Sequence, residues 1–353
     1  MLEEKGFSPT PLSKIGEFGL IETFKKSIKN TQKSTIKGIG DDAAVIKKDK
    51  NHYQLISTDT LVEGVHFDLV YTPLKHLGYK AVTVNLSDIF AMNGNPTHIT
   101  VSLAINARMS IEAIDELYLG IMAACEQYNV DIIGGDTTSS LAENMISITV
   151  LGEVEKKKIT YRDTAQENDL ICVSGDLGAA YMGLQLLERE KSVFEKTNDA
   201  QPDFDGFDYL LRRFLKPEPR KDIIDFLNEQ NVIPTSMIDI SDGLSSELIH
   251  LGHLSKKGMV IYENKLPIDP QTVNAAEMFK INSTVCALNG GEDYELLFTI
   301  KQDDFNKIKE NSNIHVIGHV TGNENQYQMV GAGDSIIELT AQGWNAFLSQ
   351  NKN

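Results

Sequence analysis

What most restricts this chain is a set of aspartates that follow apolar runs inside short frames rich in Gly, Ser or Thr. They stand in Gly38-Ile39-Gly40-Asp41-Asp42, Ser57-Thr58-Asp59-Thr60, Asn85-Leu86-Ser87-Asp88, Gly134-Gly135-Asp136-Thr137-Thr138 and Ile238-Asp239-Ile240-Ser241-Asp242-Gly243. An apolar run that ends in such a frame carries its last side chains to the mouth of a fold, not into its core. Carboxylates gathered there repel one another unless hard cations lie between them. Magnesium takes oxygen ligands and bridges one or two carboxylates to phosphates. The pattern reads as a site that handles phosphate through metal.

Charge points the same way. The 353 residues hold 33 Lys and Arg against 50 Asp and Glu, a net charge of −17. That excess argues against nucleic-acid binding, since few basic groups remain to neutralise phosphates. An acidic protein that binds a polyanion needs metal to reverse the local field. The length predicts two domains. Cys125, Cys172 and Cys286 are odd in number, far apart and set in apolar surroundings, which predicts buried thiols, not disulfides or zinc ligands. The first residues, Met1 to Gly6, hold no apolar signal core, and no stretch is long and apolar enough to span a membrane. A cytoplasmic protein with no membrane partner is expected.

Periodicity predicts helices over Gly19 to Lys29, Leu77 to Met92, Ser110 to Tyr128, Gly178 to Lys191, Arg220 to Glu229 and Ser245 to Ser255. Strands are expected at Tyr53 to Ser57, Ile99 to Ile105, Met145 to Val154, Leu170 to Val173, Met237 to Ile240, Met259 to Tyr262, Glu295 to Ile300 and His315 to Val320. Alternation in both halves is an α/β (α+β mixed) signature. The domain boundary is expected near Glu155-Lys156-Lys157-Lys158, giving domains 1–155 and 156–353, and Glu190 to Asp208 reads as a loop-like insertion.

Each motif alone has a plain reading. Asp41-Asp42 could be an ordinary turn, although Gly38 and Gly40 would let a ligand approach the backbone. Asp59 closes its strand as a ligand or as a turn residue. Asp88 is sharper, because it falls in an apolar helix with Val84 and Met92 one turn to either side. An isolated carboxylate there must be paired, protonated or metal-bound. Asp136 follows a glycine pair whose N–H groups could hold phosphate. Asp239 and Asp242 flank Ser241 just before a helix, so Asp242 is an N-cap or part of an anion site. Gly290-Gly291-Glu292-Asp293-Tyr294-Glu295 reads as a charged turn, and His66 and Trp344 as packing residues. There is no P-loop Gly-x-x-x-x-Gly-Lys-Ser/Thr, no kinase His-Arg-Asp and no Gly-x-Ser-x-Gly elbow.

Seven segments in order resemble the thiamine-monophosphate kinase family: residues 38–43, 56–61, 63–67, 81–88, 133–138, 240–244 and 290–296. The likeness covers about Gly16 to Phe347. It implies a two-domain fold like aminoimidazole-ribonucleotide synthetase, whose N-terminal sheet pairs with its twin in a homodimer. It implies transfer of a phosphoryl group from ATP to thiamine monophosphate, giving ADP and thiamine diphosphate with no covalent enzyme intermediate. By the same resemblance Asp42, Ser57, Thr58, Asp59, Asp88, Asp136, Asp239 and Asp242 bind several magnesium ions. Gly135, Asp136, Arg162 and Ser241 contact ATP, and His66, Glu292 and Trp344 contact thiamine monophosphate. The attacking phosphate oxygen is already ionised, so neither acid/base nor nucleophile is required of the protein. The chain departs from the family after its arginine, where Arg162-Asp163-Thr164-Ala165-Gln166-Glu167-Asn168-Asp169 replaces a Gly and a later Pro-Gly-Asp.

Sibling activities fit less well. Selenophosphate synthetase needs a reactive Cys near its N-terminus, whereas the first here is Cys125. The hydrogenase-maturation sibling carries a C-terminal cysteine, and this chain ends Gln350-Asn351-Lys352-Asn353. Aminoimidazole-ribonucleotide synthetase itself is disfavoured by the Gly-Gly-Glu-Asp-Tyr-Glu segment. A non-catalytic sensor would not need the whole metal set, and no EF-hand spacing is present.

Overall fold

Two β-sheets organise the chain, whose computed structural model describes residues 11–197 and 201–342. The first sheet contains β1 (Thr35–Lys37), β2 (Ala44–Lys47), β3 (His52–Val62), β4 (Asn95–Asn106), β5 (Asp131–Ser140) and β6 (Met145–Glu155), in the order β1-β2-β3-β6-β4-β5. Only β4 and β5 pair in parallel. The second contains β7 (Leu170–Ser174), β8 (Ser236–Asp239), β9 (Gly258–Tyr262), β10 (Leu296–Ile300), β11 (Ile314–Thr321), β12 (Tyr327–Val330) and β13 (Ile336–Glu338). Its order is β13-β12-β9-β11-β7-β10-β8.

Helices follow as α1 (Gly16–Ser27), α2 (Leu74–Ala91), α3 (Ile111–Tyr128), α4 (Ala179–Thr197), α5 (Asp208–Leu215), α6 (Lys221–Glu229), α7 (Leu244–Ser255), α8 (Pro270–Phe279) and α9 (Ser283–Asn289). Ser110 caps α3 by accepting the Ala113 N–H, and Asn129 ends it in the left-handed region. The whole is the mixed α/β architecture that the alternating runs predict.

Strand periodicity divides the interior. In β7 and β10, Cys172, Leu296, Phe298 and Ile300 join one core with Val101, Ile148 and Leu86 of the first half. Their neighbours Ile171, Val173 and Leu297 point the other way, into a second core with Leu244, Leu248 and Leu251 of α7. The first core therefore runs from one sheet to the other, with α2 inside it. Leu77 to Ser87 of that helix are all buried, as are Ile89, Phe90 and Ala91. A helix covered on every side along this stretch has no solvent face to keep. The three cysteines are free and buried.

Three local expectations change. The strand that begins near Tyr53 does not turn at Ser57; β3 continues through Asp59 to Val62 because β6 pairs with it along its whole length. The glycine pair before Asp136, whose N–H groups are expected to be open to phosphate, lies in the middle of β5. A side chain at Gly135 would come within 1.8 Å of the Val101 carbonyl, so the glycine serves close strand packing. The supposed loop from Glu190 begins as helix, since α4 runs to Thr197.

Helix α3 backs onto α2 through Gly78 and Gly120. A Cβ at Gly120 would lie 1.9 Å from the Lys75 carbonyl, and one at Gly78 equally close to that of Leu117. Gly120→Ala should therefore force α3 off α2 and cost about 1–3 kcal/mol, the usual range for overpacking. Urea unfolding measures it; an unchanged midpoint would mean the helices are free to separate.

Candidate active site

Helix α2 is the hub of the acidic residues. It packs against β3 and β6 of the first sheet and β8 of the second. From the first sheet, Ser57 donates its hydroxyl to Asp88 Oδ2 at 2.5 Å. Toward the second, Ser87 donates to Asp239 Oδ2 at 2.6 Å. One residue pair earlier, Asn85 Oδ1 accepts the backbone N–H of Asp59 at 3.0 Å while its amide donates to the Ala81 carbonyl. Asp42 enters from the loop between β1 and β2. The Arg162 guanidinium grips it with Nε–H to Oδ2 at 2.9 Å and an Nη2–H to Oδ1 at 2.5 Å.

The result is a triad of carboxylates. Oxygens of Asp42, Asp88 and Asp239 lie within 4.8 Å of one another, close enough to share an ion. Burial, then repulsion from Asp59, Asp239 and Asp42, holds Asp88 well above the ordinary carboxylate range. Burial and Asp42 push Asp239 up to about 8, against the pull of Ser87 and Arg162. Asp59 is pushed up to about 6 by burial, Glu17 and Asp42. Asp242 rises to about 7 through burial and Glu17. Four carboxylates that all resist ionisation describe a place built for more positive charge than the side chains supply. All-oxygen donors of this kind suit a hard cation such as magnesium.

The other expected ligands are placed less uniformly. Thr58 lies on the opposite face of β3 from Ser57 and Asp59, as strand alternation requires. Its hydroxyl donates to the Ile148 carbonyl at 3.1 Å. Asp136 also faces away. It registers with Ser102, Ser102 with Ser147, and Ser147 with Thr60, so its side chain shares the Thr58 and Thr60 face. It stands three strand spacings from β3, about 14 Å across the sheet. Within one chain neither Asp136 nor Gly135 reaches the triad.

On the other side, Ser241 is exposed and Asp242 half-buried at the start of α7. Glu292 projects from the glycine-rich segment before β10, with its N–H donated to the Ser241 carbonyl at 2.7 Å. His66 is half-buried, and its Nδ1 accepts the Val62 N–H at 3.0 Å. That bond leaves the proton on Nε2. Burial lowers the His66 pKa, so the ring is a neutral donor. Trp344 lies outside the described residues.

Sequence reasoning passed over several participants. Ser87 and Asn85 stood in a quoted motif without a role; their spacing from Asp88 on one helix was the available signal. Glu247 is 2% exposed, accepts the Asp242 N–H at 3.0 Å and leaves Oε2 without a partner. Burial and Asp242 hold its carboxyl well above the ordinary range. Its side chain reaches back to a backbone N–H ahead of the helix, as a capping glutamate does, but from five residues on instead of three. Lys80 was hidden in an apolar helix and gave no signal at all.

Known proteins share this arrangement of sequence and fold. Residues 40–154 match the family described as AIR synthase related protein, N-terminal domain. The thiamine-monophosphate kinase of Buchnera aphidicola subsp. Schizaphis graminum is 38% identical over 94% of this chain and 99% of its own. That of Bacillus subtilis is 33% identical over 88% and 93%. A solved structure described as AaThiL complexed with AMPPCP and TMP superposes with a TM-score of 0.81 at 32% identity, covering 96% of this chain and 99% of that one.

The raised carboxyl pKa values fix the sign of a pH effect. Asp239 near 8 and Asp242 near 7 keep their protons at low pH, and a cation must displace them. Magnesium binding should tighten as pH rises from 6 to 8 and release protons at pH 7, less so in Asp239→Asn. Calorimetric titration in buffers of different ionisation enthalpy reads both; a flat affinity with no buffer dependence would contradict the cluster.

Proposed function

The chain belongs to the thiamine-monophosphate kinase family, and we propose that its magnesium ions are held by the aspartates gathered around α2. It is an ATP-dependent phosphotransferase that converts thiamine monophosphate to thiamine diphosphate, with ADP as the other product. The observation that carries the metal reading is the approach of Asp42, Asp88 and Asp239 to within 4.8 Å. Ser57, Thr58, Asp59, Asp136 and Asp242 complete the proposed ligand set, with Thr58 restricted to its main-chain carbonyl. Bound magnesium would neutralise the converging phosphates and hold the in-line geometry.

The chain's own groups do the rest. Arg162 is held at the triad by its two bonds to Asp42, and with Ser241 it is assigned to the ATP phosphates. Burial works against the charge of that guanidinium, and the carboxylates of Asp42, Asp41 and Asp239 outweigh it and keep it charged. Neutral His66 offers its Nε2–H to the acceptor, and Glu292 offers a carboxylate oxygen to its cationic half. Trp344 is assigned to stacking on that half. No residue is needed as a base, because the acceptor oxygen arrives ionised.

The same reading requires two copies of the chain. Strand β5 is a ten-residue exposed edge with Ile132 and Ile133 uncovered, a template for pairing with another strand. Asp136 and Gly135, too far from the triad of their own chain, then serve the site of the partner. The two-domain division at 155/156 belongs to this proposal, with each site between an N-terminal sheet and its C-terminal sheet. A cytoplasmic location is proposed with it, in keeping with free buried thiols.

Subunit mixing tests this directly. Asp88→Asn and Asp136→Asn should each form folded dimers with almost no turnover. Mixed by unfolding and refolding together, they should recover about a quarter of wild-type activity, since half the dimers are mixed and each has one intact site. Recovery at the level of the separate variants would place Asp136 in its own chain's site or outside catalysis.

A further inference from the structure

Lys80 is the largest fully buried side chain of the core, 2% exposed in the middle of α2, and it carries a positive charge. A lysine is almost never enclosed in this way unless it is paired. Its Nζ meets Glu292 Oε2 at 2.5 Å and lies 4.1 Å from the centroid of the Phe214 ring of α5. Glu292 is its only acidic partner among the described residues. Replacing such a buried pair by packed apolar groups often leaves stability unchanged or improves it. Stability alone therefore gives no account of the charge.

The other end of the pair does. Glu292 sits at φ +58, in the left-handed region that side chains with a Cβ rarely adopt. The segment around it is pinned: Glu292 N–H to Ser241, Tyr294 N–H to Ile240, and Asp293 accepting from Gly178 and Ala180. The backbone is thus fixed, yet the Glu292 side chain is 26% exposed and could swing. Lys80 engages one oxygen, Oε2, and among the described residues no hydrogen bond engages Oε1. An anchored carboxylate with one oxygen spare is a recognition device. Its charge is felt at the ring of His66, the other residue read as an acceptor contact.

We propose that Lys80 is a positioning residue that aims the free oxygen of Glu292 at the cationic ring or exocyclic amine of thiamine monophosphate. This rests on the reading of Glu292 as an acceptor contact. Lys80 is too deeply buried to touch the substrate and acts only through Glu292. Its loss should weaken capture of the acceptor and spare ATP.

Steady-state kinetics of Lys80→Met, Glu292→Gln and the double variant test it, with circular dichroism and thermal melting to confirm folding. Lys80→Met should raise the KM for thiamine monophosphate about tenfold, the scale of one lost charge-assisted contact, with the KM for ATP within about twofold. The double variant should be no worse than Glu292→Gln alone, because both changes disable one device. If Glu292→Gln raises the acceptor KM and Lys80→Met does not, the proposal is overturned while the site reading stands. Multiplying effects, or equal rises in both KM values, would make Lys80 a plain structural tie and also overturn it. If Glu292→Gln leaves the acceptor KM unchanged, the acceptor is misplaced and the site reading falls first. Lys80→Gln, which keeps a donor without the charge, carries the test should the methionine variant not fold.

Discussion

Repulsion among buried carboxylates is the constraint around which this structure is arranged. Asp42, Asp88 and Asp239 come from a loop, a helix and a strand, and their oxygens lie within 4.8 Å. At an effective dielectric of about 20, each ionised pair at that separation costs on the order of 3 kcal/mol. Nothing but a tightly packed scaffold would hold them there. Each carboxylate is accordingly tied to a neighbour from a different element: Asp88 to Ser57, Asp239 to Ser87, Asp42 to Arg162. The ties reduce the repulsion without removing it, and burial together with that repulsion holds the carboxyls of Asp88 and Asp239 raised.

The scaffold explains the unusual helix at the centre. Only an element covered on all sides can present one residue to each of two sheets, and α2 does so with Ser87 and Asp88 on consecutive positions. Its close fit with α3, allowed by glycines at 78 and 120, leaves room for the first core to extend into the second half. The same helix reaches the acceptor side through Lys80, two turns before Asp88. One rigid rod thus connects the aspartate triad with Glu292, the proposed acceptor contact. Phosphoryl transfer depends on alignment more than on proton transfer, and rigidity of this kind is what alignment requires.

How much of this was legible depended on what each residue's neighbours demanded. Asp88 was readable because a lone carboxylate in an apolar helix has so few explanations. The α/β alternation was readable because both periodicities were long and clean. Asp59 was misplaced at a strand end, since Ser-Thr-Asp-Thr looks like a turn until β6 is known to run beside it. Strand β5 was missed because an exposed, Gly- and Thr-rich edge has neither apolar alternation nor a core face. The opposite facing of Asp136 follows from register across four strands, information no local motif contains. Lys80 was silent for the converse reason: a single lysine in a helix usually marks a surface, and its burial depends on Phe214 and Glu292, over a hundred residues away. The position of Trp344 lies outside the described residues.

The central claim is that hard cations sit between the carboxylates gathered by α2. The most direct measurement is a crystal structure with ATP analogue and manganese in place of magnesium, with anomalous data collected at the manganese edge. The account predicts anomalous peaks bounded by Asp42, Asp88 and Asp239, with Arg162 turned from Asp42 toward the phosphates. A crystal that binds the nucleotide with manganese elsewhere, and the triad still paired only to Ser57, Ser87 and Arg162, would contradict it.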